Sequence, residues 1–414
     1  MPTGDRTQLL ARVGADTPIG SLLRQYWVPA IRSERLDAGG APVAVQIFGE
    51  NLVAFRVHDG RVGVFDQACP HRGVSLLLAR NEDNALRCIF HGWKIDVTGR
   101  IVDIPTEPKE RCDAFAESVN FRRYRTHEEA GIVWIWLGQG EAPGFPNFSF
   151  AGLPTTHVVS FVGLLDCHWL QALEMLLDPV HVGILHQSHM SQSQLYLRRP
   201  DGRKIRLPNG MTDPPPQIDI EYTDYGFRGA AIRELEDGSR YVRITEWVMP
   251  FYSFLATAPG ETRNLYVAVP ADEQHTNFWY VGWNSERPLD VPALKASALG
   301  SGNPNNFAHG LGDRKNLWHQ DRSRMQAGHF TGFKTDMHEE IIIPQAQGVL
   351  QDFSRQNLGW SDRMVVAARE RLEHDATCLR LDSRATPWRM TDMRLVNPII
   401  GFCEGDERWQ DLQP

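Results

Sequence analysis

The stretch "CPHRGVSLLLARNEDNALRCIFHGW", Cys69–Trp93, decides how the rest of the chain is read. It opens on Cys-x-His (Cys69, His71) and closes on Cys-x-x-His (Cys88, His91), with sixteen residues between the pairs. Two thiolates and two imidazoles suit a metal. Zinc takes such a set tetrahedrally; a 2Fe–2S cluster takes it with the cysteines on one iron and the histidines on the other. Three features favour the cluster. Each pair sits beside Pro or Gly ("CPHRG", "CIFHGW"), as two short converging loops require. Small residues there let backbone N–H groups approach the sulfides and tune the potential. The following "HGWKIDVTGRIVDIP" returns directly to a β pattern, with Gly99 in the turn.

The chain has 414 residues, enough for two or three domains and a sizeable core. Its net charge of −8 comes from interleaved signs with no basic block, which argues against a nucleic-acid partner. No run of eighteen apolar residues predicts a membrane span, and "MPTGDRTQLLARVGADTPIG" lacks a signal-peptide core. The expected compartment is the cytoplasm. Six scattered cysteines (Cys69, Cys88, Cys112, Cys167, Cys378, Cys403) read as free thiols or ligands, not as a disulfide framework.

Working outward, residues 1–28 read as a short helical arm. "APVAVQIF", "NLVAFRV", "RVGVF" and "GIVWIWL", separated by Gly, Asp and Asn, predict a small antiparallel β domain over 29–148, closed by the Pro/Gly-rich linker Gly140–Phe148. A second unit, 149–414, opens with "HWLQALEMLLDPVHVGILHQSH", which reads as helix. "IDIEYTDYGFRGAAIRE", "RYVRITEWVMPFYSFLA", "NLYVAVP" and "TNFWYVGWNS" predict one larger antiparallel sheet. Ala298–Trp318, rich in Gly and Asn, reads as a long mobile loop, and "DRMVVAARERLEHDA" as an amphipathic helix.

The pattern C-x-H-x16-C-x-x-H, with "CPHRG" and "HGW", closely resembles the Rieske family. The resemblance implies Cys69 and Cys88 on one iron and His71 and His91 on the other. A Rieske cluster moves single electrons, so further chemistry is expected in the second unit. There Asp178, His181 and His186 stand as D-x2-H-x4-H. Three residues apart, Asp178 and His181 are predicted on one helix face. Five residues turn an ideal helix by about 500°, so His181 and His186 reach one metal only if the helix ends or bulges between them, for which Gly183 is well placed. Two imidazoles and one carboxylate form the facial triad of non-haem Fe(II) oxygenases, leaving positions open for O₂ and substrate.

With both motifs, nearly the whole chain resembles the α subunit of a Rieske non-haem iron aromatic-ring-hydroxylating oxygenase, in the phthalate dioxygenase-like branch. "YVRITEWVMPF" (Tyr241–Phe251), "HFTGF" (His329–Phe333) and "LGWSDRMVVAARERL" (Leu358–Leu372) extend it. The resemblance implies an α+β fold: a small antiparallel β Rieske domain, and a catalytic domain whose curved antiparallel sheet is flanked by helices in the helix-grip, START-like manner. It implies a 2Fe–2S cluster and a mononuclear Fe(II). It gives Asp178 a catalytic role without binding iron: the carboxylate bridges His181 to the cluster ligand His91 of the partner subunit. A head-to-tail homotrimer, or a stacked hexamer, would supply that neighbour. Electrons would come from a separate NAD(P)H-dependent reductase of flavin and ferredoxin type.

Two positions depart from the family pattern. His168 stands in "CHW" where the family has "CNW", and either bonds near the iron or packs. The third ligand is an Asp in the family's "EDxxxxEAQ"; here "HEEIIIPQAQG" puts Glu340 at that position, with Glu339 and Asp336 as fallbacks. The branch implies aromatic carboxylates (phthalate-, benzoate- or phenoxybenzoate-like), converted to a cis-dihydrodiol or its breakdown products. Arginine anchors a carboxylate bidentately. Strict alternation puts Tyr241, Arg243 and Thr245 on one strand face, which makes Arg243 the first candidate, followed by Arg233 and the pair Arg198–Arg199. The rival readings are a monooxygenase performing O-demethylation or single hydroxylation, an electron-transfer Rieske protein, and a zinc-stabilised binding module.

Overall fold

A computed structural model describes residues 8–189, 196–198, 202, 204–206, 215–298, 302–381 and 392–412. The N-terminal arm holds helix α1 (Pro18–Leu23), started by Pro18 and capped by Thr17, whose Oγ1 accepts from Gly20 N. Arg24 ties the arm down: its guanidinium donates to the carbonyls of Val13, Gly20 and Phe48 and pairs with Glu50.

Ten short strands follow: β1 (Trp27–Arg32), β2 (Val43–Ile47), β3 (Glu50–Arg56), β4 (Val62–Asp66), β5 (Arg80–Glu82), β6 (Ala85–Arg87), β7 (Lys94–Asp96), β8 (Ile101–Asp103), β9 (Arg125–Glu129) and β10 (Ile132–Trp136). They form three antiparallel sheets ordered β1-β10-β9, β2-β3-β4 and β5-β6-β7-β8, with helix α2 (Lys109–Ser118) beside β8. The central strand β10, "IVWIW", is buried on both faces, which explains its unbroken apolar run. Three hairpins close through two-residue turns with both residues at positive φ: Phe48–Gly49, Asp83–Asn84 and Ala130–Gly131. These have the backbone signature of the type I′ turn, which matches strand twist. The first turn reaches across to the second unit: Phe48 N donates to Pro270 O at 2.8 Å and Gly49 N to Ala271 O at 2.7 Å. The linker Gly140–Phe148 has no regular structure, yet Phe145 stacks on His127 and Phe148 on Trp134.

The second unit contains β11 (Val158–Leu165), α3 (Trp169–Leu176), α4 (His181–Leu185), the hairpin β12 (Tyr196–Arg198) and β13 (Lys204–Arg206), β14 (Gln217–Thr223), β15 (Gly226–Glu234), β16 (Arg240–Val248), β17 (Tyr252–Phe254), β18 (Arg263–Pro270), β19 (Thr276–Trp283), α5 (Val291–Ala298), α6 (Arg322–Gln326), α7 (Asp336–Ala346), α8 (Arg363–Leu381) and β20 (Ile400–Cys403). One antiparallel sheet runs β11-β19-β18-β17-β16-β15-β14, with β20 added on β16. Helix α3 packs on β18 and β19, α8 on β14 and β15, and α1 on α8, so a single apolar core runs through both units. No helix among the described residues is long and apolar enough to cross a membrane.

The segment read as a mobile loop is instead anchored where it is described. Val162 N donates to Pro304 O, Phe307 N to Val162 O, and Leu164 N to Asn306 Oδ1. Phe307 is buried against β11, above Gly163, where a Cβ would collide with its ring. Gly and Asn in this segment mark turns around an apolar anchor, a distinction composition does not make.

Candidate metal centres

The first centre is built by two loops of the same design. Cys69 N donates to Val74 O and Gly73 N returns to Cys69 O; Cys88 N donates to Trp93 O and Gly92 N returns to Cys88 O. Each loop turns back at a glycine with positive φ, +75° at Gly73 and +77° at Gly92, where an L side chain would be strained. The loops bring the His71 and His91 rings to 4.5 Å between centroids. His71 stacks on Trp93 at 4.8 Å and Phe90 lies against His91. Both cysteines are buried, 4 % exposed each. Burial pushes the Cys69 thiol up to about 11, against the pull of N–H groups from His71 and Arg72, and Cys88 beside it raises it further. His91 is pushed below its ordinary range by burial and by the neighbouring His71 and Arg72. The inward Nδ1 atoms of His71 and His91 are buried and find no partner among the described residues. Two facing thiols and two buried imidazole nitrogens without donors or acceptors fit a 2Fe–2S cluster, whose irons satisfy all four atoms.

The second centre lies where α3 stops and α4 starts. Pro179 has no N–H to continue α3, so the helix ends before Asp178. The Asp178 carboxylate then accepts from Val180 N at 2.8 Å and, more weakly, from His181 N at 3.4 Å. The expectation that Asp178 and His181 share one helix face is therefore corrected: Asp178 precedes α4 and holds its first turn. The break expected between His181 and His186 is present as a helix end rather than as a bulge at Gly183. Gly183 is an ordinary buried helical residue, and α4 ends at Leu185, which frees His186 from helical register.

Helix α7 supplies the carboxylates. It is capped by Thr335, whose Oγ1 accepts from His338 N. His181 Nε2 stands 3.2 Å and His186 Nε2 2.8 Å from Glu340 Oε1, and the three candidate ligand atoms lie within 4.8 Å of one another. Glu339, one residue earlier, faces the other side of the same imidazole: its Oε2 is 2.7 Å from His186 Nδ1. Asp336 takes no part in the cluster and accepts from Met337 N. Pro344, inside α7, has no N–H to offer the Glu340 carbonyl four residues back.

The spacing between α3 and α7 is fixed by buried polar bonds. Gln171 Nε2 donates to the carbonyls of Pro344 and Gly348 at 2.9 and 2.8 Å, and its Oε1 accepts from Gln351 N. His168 N donates to Val349 O. His168 itself is not at the iron site. Its Nδ1 caps α3 by accepting from Leu170 N, its Nε2 bonds Ala11 O at 3.0 Å, and burial lowers its pKa to about 4.

Burial works against charge in the second centre, but the opposite charges outweigh it. Glu340 is held down to about 2 by His181 and His186. His186, between two carboxylates, is raised to about 10, and His181 is raised by Glu340 and Asp178. Two carboxylates around two imidazoles thus collect positive charge as protons. Glu340 Oε2 and His181 Nδ1 are buried with no hydrogen-bond partner among the described residues. A divalent cation on the three inward atoms supplies that charge and fits the donor set of non-haem iron.

Of the arginines, Arg233 is 2 % exposed, opposite Tyr241 in the β15–β16 register, and burial brings its pKa to about 10. Arg243 is half-buried on the same sheet face, opposite Ala231. That face carries Tyr241, which forms with Leu235 an apolar cluster against which Val182 of α4 packs. Arg199 and the side chain of Arg198 lie outside the described residues. Asp178 is 32 % exposed at its side chain, and its Oδ2 is 3.8 Å from His181 Nδ1. Glu339, a fallback ligand by sequence, has no sequence signal for its contact with His186 Nδ1 beyond adjoining Glu340.

Residues 26–121 match the family described as Rieske [2Fe-2S] domain, and residues 135–391 the family described as LigXa C-terminal domain like. Over the full chain and 95 % of the relative, the sequence is 35 % identical to the phthalate 4,5-dioxygenase oxygenase subunit of Pseudomonas putida. Over 88 % of the chain and 86 % of the relative, it is 33 % identical to the 3-chlorobenzoate-3,4-dioxygenase oxygenase subunit of Comamonas testosteroni. The fold matches the crystal structure of dicamba monooxygenase bound to dicamba, with a TM-score of 0.56 over 87 % of this chain and 99 % of that one at 16 % identity.

Proposed function

The chain belongs to the Rieske non-haem iron oxygenase α subunits, in their phthalate dioxygenase-like branch, and from that premise we propose that it hydroxylates an aromatic carboxylate with O₂. The observation that carries the reading is the meeting of His181, His186 and Glu340 in a chain that also has the Cys69–His71 and Cys88–His91 loops. An electron-transfer protein has no use for the first set, and a zinc module has no use for both.

In this reading residues 29–148 receive electrons from a separate reductase and residues 149–414 carry out the oxygenation. Cys69, Cys88, His71 and His91 hold the cluster; His181, His186 and Glu340 hold the mononuclear iron. When bound, the cluster supplies single electrons and the Fe(II) activates O₂. Asp178 keeps His181 in place through the first turn of α4. Its partly exposed carboxylate is available to His91 of the partner subunit, so a ring of copies, trimer or stacked hexamer, completes the path. Arg243 and Arg233, which share one sheet face, are the proposed carboxylate anchors: the planar fork of a guanidinium binds a carboxylate bidentately. None of the six cysteines forms a disulfide, in keeping with the reducing cytoplasm as the working compartment.

The test is product identification with the iron-loaded protein and a surrogate ferredoxin reductase, using a panel of benzoates, phthalates and phenoxybenzoates under ¹⁸O₂. At least one aryl carboxylate should yield a diol carrying two labelled oxygens. One labelled oxygen, or loss of an O-methyl group, would make the protein a monooxygenase. Turnover of uncharged hydrocarbons alone would remove the arginine anchors.

A further inference from the structure

We infer that Glu339 is a positioning residue for the mononuclear metal: it fixes the tautomer and ring of His186 and lends its negative charge to the site. The inference rests on His186 being a ligand. Consecutive residues on a helix are about 100° apart, so Glu339 and Glu340 approach one imidazole from two sides, at Nδ1 and Nε2. For Nε2 to offer a lone pair to a metal, Nδ1 must carry the proton. With Glu339 Oε2 at 2.7 Å from Nδ1, that is the tautomer the surroundings demand, since the other would set two lone pairs against each other.

Glu339 is itself held. It is fully buried, 0 % exposed; its Oε1 accepts from the Thr331 hydroxyl and lies 3.4 Å from His189 Nε2. Its ion-pair partners among the described residues are the imidazoles of His186 and His189, so a metal beyond His186 is the natural counter-charge. His181 has no such anchor, its nearest recorded carboxylate at Nδ1 being Asp178 at 3.8 Å. The two histidines thus differ in kind: His186 is clamped at Nδ1 by a buried carboxylate, and the buried Nδ1 of His181 has Asp178 beside it only at 3.8 Å.

The experiment compares Fe(II) retention of the intact protein and its variants by chelator competition, together with the electron paramagnetic resonance spectrum of the nitric oxide adduct of the ferrous site. Far-ultraviolet circular dichroism and the urea midpoint report folding of the second unit, and the visible spectrum of the cluster reports the first centre. Glu339→Gln, which keeps the acceptor oxygen and removes the charge, should hold Fe(II) about 10- to 100-fold more weakly and shift the adduct spectrum, with the cluster bands unchanged. Native affinity with an unshifted spectrum overturns the inference. If Glu339→Gln does not fold, Thr331→Val, which removes only the hydroxyl that steadies Glu339, should weaken binding a few-fold; native affinity there overturns it equally. His186→Ala separates the two levels. Native mononuclear iron in that variant overturns the functional reading itself, whereas loss there beside native affinity in Glu339→Gln overturns the inference alone.

Discussion

The two metal centres are assembled in opposite ways. The cluster loops are closed by bonds within Cys69–Val74 and Cys88–Trp93, and each repeats the other's backbone path. The mononuclear centre joins His181 and His186 to a carboxylate 159 and 154 residues further on, with its spacing set by Gln171 across α3 and α7. A locally closed site asks little of the rest of the fold. A site made from distant segments exists only when the core that carries them is in register.

The sharpest way to break this contrast is a reciprocal pair of variants. Cys88→Ser should abolish the visible cluster spectrum and leave mononuclear iron bound; His186→Ala should do the reverse, and each should bring turnover to background. Metal analysis beside the spectrum checks both, and loss of both metals in either variant would mean that the centres are not independent. Next in size, Asp178→Asn should keep both metals and normal reduction of the cluster by reductase, yet lower turnover about 100-fold, since it loosens His181 and the proposed bridge. Single-turnover kinetics of the pre-reduced protein reads that step directly.

Smaller effects sharpen the contrast on the stability side. Gln171→Leu leaves the carbonyls of Pro344 and Gly348 without their donor and should cost roughly 2–3 kcal/mol in urea unfolding. It should weaken Fe(II) retention and spare the cluster bands. The smallest effect is a pH dependence. The folded pKa of His168, about 4, lies below its unfolded value, so the unfolded chain binds the extra proton between the two. Stability from this residue is full above about pH 6.5 and is lost as pH falls toward 4. Between pH 7 and 5 the loss is about 2 kcal/mol. In His168→Asn the new amide side chain also caps a helix but does not titrate, so the same pH change should cost that variant about 2 kcal/mol less. Equal losses in both proteins would remove His168 from the acid sensitivity.

Legibility followed the same divide. Cys69, His71, Cys88 and His91 could be read because their spacing is the loop geometry, and the strands of both units because alternation and turn residues are local. His181 and His186 were legible as a pair, and Glu340 by its place relative to two flanking motifs. What failed was the place of Asp178. Helical periodicity put Asp178 on the face of His181, but Pro179 ended the helix first; the break required between His181 and His186 is there, as the end of α4 at Leu185. His168 could not be placed from sequence, because its partner, Ala11, comes from a distant arm. Glu339 read as a spare ligand, since nothing in "HEE" tells which carboxylate meets Nδ1 and which meets Nε2.

The docking of the turn Phe48–Gly49 on Pro270 and Ala271 has a consequence for engineering. Its donors and acceptors belong to the main chain, so they survive any substitution that preserves the turn and introduces no proline at its donor positions. Such a fastening does not care which side chains surround it. The electron-entry unit can in that respect be treated as a cassette: a graft from a relative that ends its hairpin with the same two-residue turn brings its own clip and needs no redesigned interface at this point.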